Sequence, residues 1–170
     1  MHLQEIIIGE KIKMATALFI KPIDLKRNSI IDGNVDVDHF LGFLKIAQEI
    51  HIRNYLGTDL YNKISTDILG TGGASLTGNY LNLVNDYIQP MLIHFAMVDY
   101  LPFASYRLKN GGLSKPTSEN SESVTKEEVD YLVQKHRNIA EYYTTRFIDY
   151  MSFNQSLFPE YNSNTNDDIH

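Results

Sequence analysis

The chain of 170 residues contains no cysteine and no tryptophan. Without cysteine there can be no disulfide, no thiolate metal ligand and no cysteine nucleophile, so these classes of site are excluded. The sequence also lacks an uncharged apolar run of about 18 residues, and it therefore predicts no membrane-spanning helix. What remains is a chain long enough to enclose one hydrophobic core.

Basic residues are also scarce: 15 Lys and Arg stand against 21 Asp and Glu, which gives a net charge of -6. A domain that binds nucleic acid through its phosphates is normally basic. The charge therefore argues against a DNA-binding module.

Residues for catalysis or metal binding are present but do not form a known pattern. No two of the six histidines are spaced three or four apart, and the HExxH motif is absent. The glycine-rich loop 70–78 lacks the Gly-Lys-Ser/Thr of a phosphate-binding loop. Asp99 has no second carboxylate one helical turn away, and His94 is expected to be a hydrogen-bonded core histidine. The sequence therefore predicts no enzyme, no metal and no cofactor.

The longest apolar pattern runs from Asn79 to Asn110 and predicts one long central helix. Its apolar residues recur three and four positions apart, as on one side of a helix: Tyr80, Leu83, Val84, Tyr87, Ile88, Met91, Leu92, Phe95 and Val98. Pro90 and Pro102 each remove a backbone N–H, so we expect a bend at each. We also expect this helix to pack centrally, between the first helix and the last.

Three further helices are predicted around it. The first is capped by Asp36 or Asp38 and ends at Gly57, and a short second helix follows to Leu69. The last begins at the capping-box sequence 125–128 and continues to Met151.

These elements predict an all-α fold, a small helical bundle with a long proline-bent central helix. Residues 1–36 are interpreted as an extended N-terminal segment, 37–151 as the helical domain and 152–170 as an extended C-terminal tail. The tail contains apolar residues outside any helical period, which either fold onto their own domain or dock on another chain: Phe153, Leu157, Phe158, Pro159 and Tyr161.

A second candidate contact surface is a local basic cluster, Arg107, Lys109 and Lys115, with no acidic residue between Leu101 and Ser118. Cations there could simply favour the negative end of a helix dipole. Alternatively, they contact a phosphate or an acidic partner.

The order of several short segments resembles a known family. The chain reads FLKIAQEIHIRNYLGTDLYNKI, then YIQPMLIHFAMVDYLPF, then NGG, a TKEE-capped helix with YYTTRFIDYM, and FPEY. This set, over about residues 35–161, is similar to the head–tail connector (adaptor, head-completion) proteins of tailed bacteriophages, in the version of crAss-like phages.

The resemblance implies a structural virion protein without catalysis or cofactor. Such proteins assemble in the host cytoplasm as a ring, usually a dodecamer, between the capsid portal and the tail. The implied partners are further copies of the chain, the portal protein, tail or other neck proteins, and genomic DNA that passes through the channel without specific binding. The alternatives are a helical DNA-binding or regulatory module and a small ligand-binding helical protein.

Overall fold

The computed structural model describes residues 17–21, 25, 37–104, 107–109, 112–114 and 125–163, and most of these residues are helical. The prediction of an all-α bundle is therefore confirmed. No helix in these ranges is long and apolar enough to cross a membrane.

The helices and strands follow in a simple order along the chain. They are α1 (Val37–Ala47), a π turn (Gln48–Ile52), α2 (Arg53–Leu69), a 3-10 turn (Thr71–Gly73), α3 (Gly78–Leu83), a second π turn (Val84–Ile88), α4 (Gln89–Ala104), β1 (Arg107–Lys109), β2 (Gly112–Ser114), α5 (Lys126–Asn154), a 3-10 turn (Gln155–Leu157) and α6 (Pro159–Asn162).

The centre of the fold is α4, which packs against α5 on one side and α1 on the other. This arrangement confirms the predicted central position of the helix that contains Pro90. Nearly every residue of its middle turns is buried: Met91, Leu92, Ile93, Phe95, Ala96 and Met97. A helix that is apolar on all sides must be covered on all sides, and the other elements provide that cover.

The distortion expected at Pro90 takes the form of the second π turn. The N–H of Gln89 donates to the carbonyl of Val84, five residues earlier, so the helical turn just before the proline is wider than an α-helical turn. A proline cannot donate to the carbonyl four residues back and its ring clashes with that group. A π turn at this point relieves both problems.

The central helix ends earlier than predicted. It stops at Ala104 instead of Asn110, two residues after Pro102. Residues 107–109 form β1, which pairs antiparallel with β2 in a register that places Lys109 opposite Gly112. The two residues between the strands are Asn-Gly, the sequence most favoured for a two-residue hairpin connection.

Gly57 separates two helical segments, as predicted. Its backbone has φ 72° and ψ 164°, far from helical values, inside α2. Only glycine adopts this region without strain, because a Cβ would collide with the neighbouring backbone.

The last helix also begins where the sequence predicts. The Thr125 hydroxyl accepts from the Glu128 N–H, and the Glu128 carboxylate accepts from the Thr125 N–H at 2.8 Å. The helix continues to Asn154, three residues beyond the predicted end.

The chain on either side of residues 37–151 also packs into the core. Among the described residues of the N-terminal segment, Ala17, Phe19, Ile20 and Leu25 are buried. The C-terminal segment, predicted to be extended, is instead helical over most of residues 152–163, and residues 164–170 lie outside the described part. The packed domain therefore reaches beyond the predicted boundaries at both ends.

We expect Ala96→Asp to unfold the central packing. Ala96 has no exposed surface, so the new carboxylate would be buried without a partner, and the free energy of unfolding should fall by about 3–5 kcal/mol. The exposed Ala104→Asp, on the same helix, should cost less than about 1 kcal/mol. Urea unfolding followed by circular dichroism measures both, and equal losses would contradict the central position of α4.

A pair of glycine substitutions should act in opposite directions. Gly57→Ala forces a side chain into a conformation that only glycine tolerates and should cost about 1–3 kcal/mol. Gly42→Ala lies within α1, where an added Cβ meets no atom within 4 Å, and should stabilise by up to about 1 kcal/mol. The same unfolding measurement applies, and a stabilising Gly57→Ala would rule out the kink.

Candidate functional site

Residues 155–162, which we call the C-terminal turn, contain most of the predicted contact residues and pack against their own chain. Phe158 has no exposed surface and packs edge-on against Tyr80 at 5.3 Å and near Tyr150 at 6.1 Å between ring centres. The Tyr80 hydroxyl donates to the Glu160 carboxylate at 2.7 Å. Burial, followed by this carboxylate, raises the pKa of Tyr80 to about 12.

The prediction that the tail docks on another chain is therefore wrong for Phe158. Its side chain already fills the core, because the chain folds back after α5. Tyr161 is half-buried against Phe147, and Pro159 begins α6. Phe153 and Leu157 differ, since they are 87% and 40% exposed. For these two residues, contact with another chain stays a prediction.

The basic cluster is only partly described. The backbone of Arg107 and of Lys109 lies in β1, in the short hairpin between α4 and α5. Lys115 lies outside the described residues. The structure therefore places two of the three residues in one element.

One polar side chain is fully buried and ties the N-terminal segment to the bundle. Gln48 accepts from the Phe19 N–H at 2.9 Å and donates to the Ala17 carbonyl at 2.7 Å and the Tyr61 hydroxyl at 2.9 Å. The Tyr61 hydroxyl donates in turn to Glu49 at 2.6 Å. Every polar atom of Gln48 is thus paired, as burial requires. Burial and the Glu49 carboxylate raise the pKa of Tyr61 to about 12.

Two histidines meet across the contact between α4 and α5. The Nδ1 atoms of His94 and His136 lie 2.9 Å apart, so one ring donates and the other accepts. The Tyr143 ring lies nearly parallel to the His94 ring, 6.1 Å away between ring centres. Burial, and then the charge of His136, lowers the pKa of His94 to about 4, and burial also lowers the pKa of His136. Both rings are therefore neutral at pH 7.

A third histidine, His51 of the first π turn, stacks on Phe95 at 4.1 Å between ring centres. Burial lowers the pKa of His51, an effect that Asp99 opposes and Arg137 reinforces. Within the described ranges, no group of three His, Cys, Asp or Glu side chains could hold a metal ion. The arrangement is that of a hydrogen-bonded core contact, as predicted for His94.

The most exposed large apolar side chains lie on the outer side of α5. Tyr131, Tyr142 and Phe153 are 66%, 60% and 87% exposed, and they are spaced eleven residues apart. We call this surface the α5 face; it comprises Tyr131, Lys135, Asn138, Tyr142, Asp149 and Phe153, all of them exposed. A row of exposed aromatic side chains is typical of a surface that contacts another protein.

Neither the histidine pair nor the α5 face is predicted from the sequence. The pair joins residues 42 positions apart, a separation that no local spacing rule examines. The α5 face does have a signal in the sequence, an aromatic residue at every eleventh position. Helical periodicity of apolar residues predicts the buried side of a helix, whereas these aromatic residues point away from the core.

The comparisons identify a family. A family model described as a family of unknown function, DUF6712, matches residues 52–169, which is more than half of the chain, and the chain belongs to this family. No curated protein and no solved structure matches.

Acid should destabilise the fold in part through the His94–His136 pair. Because the native pKa of His94 is lowered to about 4, the unfolded chain binds more protons between about pH 6.5 and 4, so stability falls as pH falls through that window. Between pH 7 and 4.5, the free energy of unfolding of His94→Gln should fall by on the order of 1–2 kcal/mol less than that of the natural chain. This value is reduced to allow for the partial solvent exposure of His94.

Urea unfolding at pH 7 and at pH 4.5 measures this difference. His136→Gln, which removes the other ring of the pair, is measured in the same way as the matched variant. Carboxylates elsewhere titrate equally in all three proteins and cancel. An unchanged pH dependence in both variants would show that the pair contributes nothing.

Proposed function

We propose that this protein is a structural component of a bacteriophage neck, where it forms a ring that joins the portal to the tail and continues the DNA channel. We take the resemblance to head–tail connector proteins to apply to the whole helical bundle.

The observation that carries the proposal is where the resembling segments lie in the fold. Ala47-Gln48 contains the buried glutamine that anchors the N-terminal segment. Leu56-Gly57-x-x-Leu60-Tyr61 spans the kink in α2. The segment from Tyr87 to Phe103 includes nearly all of the central helix, and Phe158 closes the core. Segments that match in order and also determine the packing support a shared fold more strongly than matches at surface positions.

Two regions of the chain are proposed to contact other neck proteins. Phe153 and Leu157 lie at the end of α5, where large apolar side chains contact solvent. The hairpin of β1 and β2 lies between α4 and α5 in the sequence. Its Arg107 and Lys109 would offer charge-assisted contacts. We assign both regions to contact with the portal or a neighbouring subunit.

The charge of the chain suits a channel through which DNA moves. A protein binds DNA tightly when its cations displace the counterions of the phosphates. With a net charge of -6, the ring as a whole would repel DNA and leave it free to slide.

Disruption of the encoding gene tests the proposal. A nonsense mutation in that gene of the parent phage should yield capsids and separate tails but no joined particles, because the ring is required at the junction. Electron microscopy of the lysate shows the outcome.

Two complementing genes serve as controls, both supplied in trans. The natural gene and Gly42→Ala should each restore joined particles, whereas Ala96→Asp should not. Normal, infectious particles in the absence of the protein would contradict the proposal.

A further inference from the structure

The α5 face forms a nearly straight line along the helix. Eleven residues make three helical turns plus about 20°, so Tyr131, Tyr142 and Phe153 drift by only about 40° over a length of about 33 Å. The described chain leaves all three more than half exposed. Two nearly straight helices could therefore remain in contact over the whole of this line.

The α5 face is complementary to itself when two helices run antiparallel. With a two-fold axis at Tyr142, each residue before it faces the residue equally far behind it on the second copy. Tyr131 then faces Phe153, since each is eleven positions away. Lys135 faces Asp149, since each is seven positions away. One register thus creates a central tyrosine pair, two aromatic pairs and two pairs of opposite charge.

A parallel arrangement does not have this property. There, each residue would face its own counterpart, so Lys135 would meet Lys135 and Asp149 would meet Asp149. Like charges in direct opposition are destabilising. The charges of the α5 face therefore favour the antiparallel register.

We propose that the free protein forms a two-fold homodimer through the α5 face. The contact would bury roughly 1,000 Å² in total, mostly from six aromatic side chains, which is the lower end of the range for specific interfaces. We expect a dissociation constant in the micromolar range, since interfaces at this end of the size range are mostly weak or transient. A two-fold contact closes with two copies, so it does not build a ring. The dimer is a state of the free protein, and it would open before Phe153 contacts a neck protein. The inference therefore does not depend on the proposed function.

Analytical ultracentrifugation tests the dimer between about 1 and 500 μM, the range in which a micromolar complex dissociates. Tyr142→Asp places two carboxylates on the two-fold axis and should raise the dissociation constant at least about thirtyfold. The matched control is Ile148→Asp on the same helix. Ile148 is 49% exposed but lies about 120° around the helix from Tyr142, so its replacement should leave dimerisation unchanged.

A charge exchange tests the register. Lys135→Asp places an aspartate opposite Asp149, and Asp149→Lys places a lysine opposite Lys135, so each should weaken the dimer about tenfold or more. The double variant restores both pairs with reversed signs, and its dissociation constant should return to within about threefold of the natural value. Circular dichroism confirms that each variant is folded.

Three results would overturn the inference. The first is a natural chain that stays monomeric over the whole concentration range. The second is an Ile148→Asp variant that weakens association as much as Tyr142→Asp. The third is a double charge variant that associates no better than the single ones. None of these results bears on whether the protein joins capsid to tail, because phage assembly is measured separately.

Discussion

The constraint on which the structure depends is that the middle turns of α4 have no polar side. Between Met91 and Met97 every residue except His94 is buried. Such a helix gains from burial only if neighbours cover it all around. Helices α1 and α5 pack on α4 directly. The N-terminal segment and the C-terminal turn add Phe19 and Phe158 to the same core. The packed domain therefore includes both of these segments as well as the long helices.

This constraint also explains the two buried polar contacts. A helix covered on all sides brings backbone and side-chain polar groups out of water, and each must then find a partner. His94 finds His136 on α5, and Gln48 pairs with the backbone of the N-terminal segment and with Tyr61. No buried side-chain polar atom in the described ranges is left unpaired. These contacts fix which surfaces meet, in addition to the apolar packing.

Features determined by neighbouring residues could be predicted from the sequence. The capping box at Thr125, the break at Gly57 and the central apolar helix all depend on local chemistry, and all three are present. Features determined by distant residues could not. Whether Phe158 packs on its own chain depends on the Tyr80 ring, 78 positions earlier, and the histidine pair depends on how α4 and α5 align. The exposed aromatic line became recognisable only when burial distinguished the outer side of α5.

The most direct test of the proposed role is the mass of the complex that this protein forms with a portal. Native mass spectrometry of the purified protein, mixed with the portal ring of the phage that encodes it, gives the stoichiometry. We predict a complex of one portal ring with an equal number of copies of this chain. If the two proteins are mixed at high concentration and only their separate masses are observed, no complex forms, and the proposed role is contradicted.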